Sequence, residues 1–305
     1  MAGASPQAEP VSYLTFPNEV EAVFQVPPEP KGTVLIAHGC AHDAKQFFSQ
    51  APGCPTCSYL PEESKIVQQI LDAKYAVIAL SSEDEAFRCW NYEIDAPRVQ
   101  EAMQSFFGER VALRRLPLAA MGFSSGGAFV LRLAEILPVR AVISQIMAIP
   151  PKQLPRPSPP VFFIHMERDK QIAALGEKCV RKLKKNGTLA IQILAPPIPL
   201  NESFFARRIR SMNAATSTAI YNALKPMLDE NHFLIKDPRV SRWRPALRKK
   251  PKLMKALPGI RDGVWDTLEP DVSPISEVLN VAYGMHELTS DFMAQTVHFL
   301  DSTML

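Results

Sequence analysis

Short apolar runs alternate with segments of helical spacing from residue 33 to residue 194, and this order leaves the chain few folds. The runs are 33–37 (TVLIA), 75–80 (YAVIAL), 116–121, 141–147, 161–165 (VFFIH) and 189–194. Between them the spacing predicts helices over 64–73, 97–107, 125–137 and 170–185, with Pro97 at a first helical position. A strand that is apolar on both faces is covered on both faces. The alternation therefore predicts an α/β fold, a mostly parallel central sheet with helices on both faces. Ligands of such sheets sit outside the carboxyl ends of the strands. Chemistry is expected directly after the apolar runs.

The order breaks at about Pro196. Residues 196–280 read as a helical insertion and candidate lid, with helices over 202–212 and 216–228 and an extended piece at 232–235. Phe204, Phe205, Met212 and Tyr221 are candidates for an apolar lining or for core packing. The run 239–255 holds many cations and no acid. It suits an anionic partner, or a solvated helix face interrupted by Pro245 and Pro251. The expected organisation is a disordered 1–12, a core over 13–195 opening with one or two antiparallel strands, the insertion, and a return to the core over 281–305. An irregular segment before residue 286 and a last helix over 288–300 complete it.

Composition sets limits. A hydrophobic share of 47% and a charged share of 21% are those of a globular protein. A net charge of +3 is too small to make nucleic acid the partner of the whole chain. No apolar run approaches the roughly 20 residues that span a bilayer. Residues 1–10 lack the basic start and apolar stretch of a secretory signal, so a cytoplasmic protein is expected. The five cysteines are odd in number, which without a signal argues against a disulfide framework. Cys54-Pro55-Thr56-Cys57 has the spacing of a redox pair or half a metal site, but no second such pair exists. A proline-rich loop with two thiols is the simpler reading. No metal or organic cofactor is expected.

Gly122-Phe123-Ser124-Ser125-Gly126 lies between an apolar run and a helix. A serine on so sharp a turn projects its hydroxyl from the sheet, and glycines two residues to either side relieve the crowding. Ser125 as nucleophile would place Phe123 where the turn needs a small residue, so Ser124 is preferred. His38-Gly39-Cys40-Ala41 follows the first run. Two backbone N–H groups are needed to hold an oxyanion, and Ser125 supplies one. The second comes from Cys40, or else from Ala41. His42 and Trp90 are further pocket candidates, Trp90 with simple burial as the alternative.

An acid and a base remain to be found. Asp169 and Glu167 both follow the run VFFIH, and Asp169 is the better placed to orient a histidine. Of six histidines, His286 gives the chain order serine, acid, histidine. His38, His42, His165, His232 and His298 are read as structural, pocket-lining or packed.

With these motifs the chain resembles the α/β-hydrolases from about Lys31 to its end. The resemblance rests on the loop at 38–39, the elbow at 122–126, Asp169 after its strand, and Gly284-Met285-His286-Glu287. It implies Ser124 as nucleophile, Asp169 as acid and His286 as base, acting on a small acyl substrate, an ester, thioester or amide. The insertion departs from the family, whose caps usually come after the sixth strand. A peptidase on the same fold, a non-catalytic receptor, and an adaptor using the basic run are the alternatives.

Overall fold

The computed structural model describes residues 9–257, 268–270 and 273–305. Eight strands form one sheet: β1 (Ser12–Thr15), β2 (Glu21–Gln25), β3 (Gly32–Ala37), β4 (Tyr75–Leu80), β5 (Leu118–Phe123), β6 (Val139–Gln145), β7 (Val161–Met166) and β8 (Ala190–Ala195). Their order is β1-β2-β4-β3-β5-β6-β7-β8. β1 and β2 pair antiparallel, as does β2 with β4, and every other pairing is parallel. The expected α/β architecture is thus observed.

Every residue of β3, β4, β5 and β7 is buried. Side chains alternate between the faces of a strand. Leu35, Ile78 and Ala120 accordingly enter one apolar layer, with the helix Tyr92–Glu109. Val34, Val77 and Met121 enter the other, with the helices Pro61–Asp72 and Met293–Met304. From β3 the chain goes to β4 on one side and later to β5 on the other. The loops after β3 and β5 therefore meet at a switch point, where open α/β sheets bind ligands.

Several boundaries differ from expectation. Pro97 lies inside the helix Tyr92–Glu109 rather than opening it. The start is fixed upstream, where the Asn91 side chain accepts from Glu93 N–H and Asp95 accepts from the N–H groups of Asn91 and Glu83. The helix after the elbow is short, Ser125–Val130, and passes into a 3-10 turn. Of the expected disordered residues 1–12, residues 1–8 lie outside the described ones, while Glu9 already bonds Val26 and Ser12 opens β1.

The stretch 196–280 is helical among its described residues. It holds Phe204–Arg208, Ala214–Leu224, Trp243–Arg248, Pro251–Ala256 and the start of Pro274–Tyr283. These helices share a core around Phe204, Phe205, Trp243 and Leu279. The helix Pro274–Tyr283 replaces the irregular segment expected before His286. Ser273 caps it, Pro274 opens it, and Gly284 closes it in the left-handed conformation. The last helix starts late, at Met293.

The cysteine reading is corrected. Cys40 is joined to Cys89, and Cys54 to Cys57, leaving Cys179 as a buried thiol. The first bond clasps two loops and the second closes a turn within one loop, and an odd total does not preclude such pairs. As disulfides, Cys54 and Cys57 are not free thiols and offer no thiolate pair to a metal.

Candidate active site

Ser124 follows β5 directly and takes φ 49° and ψ −118°. That backbone is strained for a residue with a side chain. A Cβ on Gly122 would strike the Gly126 backbone, and one on Gly126 would strike the carbonyls of Ala37 and His38. Only glycine fits either place, so the elbow can press against the end of β3. The Ser124 Oγ lies 3.0 Å from His286 Nε2. His286 Nδ1 lies 2.7 Å from Asp169 Oδ2. The three residues proposed from sequence thus stand in one hydrogen-bonded series.

Asp169 is buried and caps the helix Lys170–Lys185, its Oδ1 accepting from Ile172 N–H at 3.3 Å. The helix N-terminus favours a negative carboxylate there. Glu167, the competing acid, is exposed. The other histidines are engaged elsewhere or exposed. His165 is packed in β7 against the Met147 carbonyl and Gln192, and burial holds it below the usual histidine range. His232 meets the Tyr221 hydroxyl, and His298 is exposed on the last helix.

His38 orders the loop after β3. One nitrogen accepts from Ser82 N–H at 3.1 Å, and Nδ1–H donates to the Gly39 carbonyl at 2.7 Å. His42 N–H donates to the same carbonyl. In a trans peptide the N–H points opposite to the C=O. Pinning the Gly39 carbonyl therefore turns the Cys40 N–H the other way. Ala41 N–H is engaged by the Phe87 carbonyl at 2.8 Å. The N–H groups of Cys40 and Ser125 find no acceptor among the described residues.

Of the pocket candidates, Trp90 is packed and His42 is half-buried at a groove. Trp90 is buried, stacks on Phe129 and meets His38 at a tilt. Its backbone N–H donates to Ser125 Oγ at 3.3 Å, so this residue braces the elbow. His42 bonds Gln46 and stands 3.5 Å from Glu63. Glu62, Glu63 and Glu277 are buried together, with the half-buried Glu287 near them. Burial, and then the neighbouring Glu63, push the Glu277 carboxyl well above its usual range. A polar groove of about 500 Å³ lies beside this loop, lined in part by His38, His42, Asp43 and Arg88. A larger cavity of about 910 Å³ lies against the amino end of β5 and holds none of the candidate residues.

Sequence reading missed the groups that hold the His286 loop. Arg168 N–H donates to the Gly284 carbonyl, and Arg239 donates to the carbonyls of Met285 and His286. Side chains that bond backbone carbonyls leave no periodic trace. The Ser-Pro start and glycine stop of the helix before the loop were the available signal.

Neither a family profile nor a curated protein matches this sequence. Solved structures do. A dienelactone hydrolase from Anabaena variabilis is similar with a TM-score of 0.50 and 20% identity, over 64% of this chain and 88% of that one. An α/β-hydrolase enzyme from a Medee basin deep-sea metagenome library gives 0.47 and 16%, over 81% and 98%. A thermostable carboxyl esterase from Bacillus coagulans gives 0.48 and 11%, over 71% and 98%. At these identities the likeness is one of fold. The chain has the α/β-hydrolase fold.

Proposed function

We propose that this chain, an α/β-hydrolase by fold, is a serine hydrolase of carboxylesterase type that cleaves an ester or thioester. The observation that carries the reading is the series Ser124, His286, Asp169, with both hydrogen bonds formed. His286 takes the Ser124 proton as Oγ attacks the acyl carbon. Asp169 holds the imidazole tautomer and stabilises the imidazolium. The negative oxygen that develops is held by the N–H groups of Cys40 and Ser125. His286 then returns its proton to the departing alcohol or thiol. Water, activated by the same imidazole, releases the acid from the acyl-enzyme.

The test is turnover of p-nitrophenyl esters of graded acyl length beside aminoacyl p-nitroanilides. Ester turnover lowered by about 10⁴-fold or more in Ser124→Ala is the expected result. Faster turnover of the anilides would move the reading to a peptidase. A folded protein that turns over neither class would leave a receptor or scaffold. We further propose that 196–280 covers the site, since its helices pack beside the His286 loop. The cytoplasm is kept as the location proposed from sequence, although two disulfides are commoner in oxidising compartments. Among the described residues no helix is long and apolar enough to cross a membrane. A tagged chain that enters the secretory route would overturn that placement.

A further inference from the structure

We propose that Arg239, contributed by the helical region, is a positioning residue for His286. The inference rests on the serine-hydrolase reading and deepens it. Arg239 opens the basic run in which sequence suggested an anionic partner. Its guanidinium instead bonds the loop that carries His286. One nitrogen donates to the Met285 carbonyl at 3.0 Å. The other donates to the His286 carbonyl at 2.8 Å and to Glu287 Oε2 at 3.2 Å. Asp237 accepts from Arg239 N–H and fixes the turn from which the side chain reaches.

The geometry explains why a clamp is needed. His286 has φ 44°, a left-handed backbone that residues with a Cβ adopt at a cost. The Met285 and His286 carbonyls belong to the two peptide planes that flank the His286 Cα. Each peptide is rigid, so holding both carbonyls fixes φ and ψ between them. The direction of the Cα–Cβ bond follows, and with it the imidazole between Ser124 and Asp169. A planar guanidinium presents its N–H groups in a fixed fork, which a lysine ammonium cannot do.

Glu287 completes the clamp. Its Oε2 also accepts from Asn280 Nδ2 at 3.0 Å. Asn280 stands on the helix Pro274–Tyr283, so the clamp joins that helix, the histidine loop and the turn at Arg239. Arg239 is exposed and touches no reacting atom, so it acts only through the loop.

The experiment compares Arg239→Ala and Arg239→Lys with the wild type, using the ester found best above. The expected result for Arg239→Ala is kcat lowered about 100-fold with KM little changed, since a small misplacement of a reacting group has that effect. Millimolar guanidinium should restore part of kcat in this variant and none in Ser124→Ala. Arg239→Lys keeps the charge opposite Glu287 and should show a smaller loss, again in kcat. It serves as the test if the alanine variant does not fold. Wild-type kcat in either folded variant would overturn the proposal. So would a loss in Arg239→Ala that guanidinium does not relieve, or one that only tracks the folded fraction. A wild type without turnover would instead count against the hydrolase reading itself.

Discussion

His38 makes no contact with a reacting atom, yet the loop that faces Ser124 depends on its charge state. It is fully buried, and burial pushes its pKa down to about 3. Only the neutral ring can accept from Ser82 N–H while donating to the Gly39 carbonyl. An unfolded histidine titrates near pH 6.5. Between that pH and about 3 the unfolded chain takes up a proton that the folded chain refuses, so stability is full above the window and falls as pH falls through it. A tenfold change in proton affinity is worth about 1.4 kcal/mol, so several kcal/mol are at stake. Urea unfolding from pH 7 to pH 4 should show this slope, and His38→Gln should flatten it while lowering stability at pH 7. Equal slopes in both proteins would contradict the account. At this scale the three members of the hydrogen-bonded series were legible because each sits where a strand ends or where chain order demands it. The role of His38 was legible only as structural, since pinning a peptide plane has no sequence signature.

Among elements, the apolar strands were the most legible, because burial on both faces leaves an unbroken run. Helix starts were less so. Pro97 has the identity of a first-turn residue, but Asn91 and Asp95 fix the turn that precedes it. The helix Pro274–Tyr283 was not foreseen although its cap residues are present, because Ile275 to Ala282 are all buried and its polar residues, Ser276, Glu277 and Asn280, face protein rather than solvent. One cysteine pair depends on two loops meeting in space, while Cys54 and Cys57 lie in a single loop. The Cys40–Cys89 bond ties the loop after β3 to the loop after β4. Closing a loop with 49 residues of separation stabilises a fold by about 4 kcal/mol in the chain-entropy description. Cys89→Ser should therefore lower the denaturant midpoint, and dithiothreitol should lower the midpoint of the wild type more than that of the variant. Equal midpoints without reductant would refute the structural role of this bond.

Across the whole molecule, the helical region is joined to the sheet by more than apolar packing. Arg208 reaches from it to Glu62 at 2.8 Å and to Asp291 at 2.6 Å. Glu277 accepts from Glu62 N–H, and Arg239 holds the loop of His286. The sequence showed where the strand–helix order stops but not how the later residues dock, since these ties are single side chains far apart in the chain. The account stands on Ser124 Oγ being made nucleophilic by an imidazole and a carboxylate that meet it from distant loops. Reaction with a fluorophosphonate, followed by peptide mass mapping, tests this most directly. The account predicts one adduct, on Ser124, lost in Ser124→Ala and formed about 10⁴-fold more slowly in Asp169→Asn. A folded wild-type protein that stays unlabelled, or that carries the adduct on another residue, would contradict it.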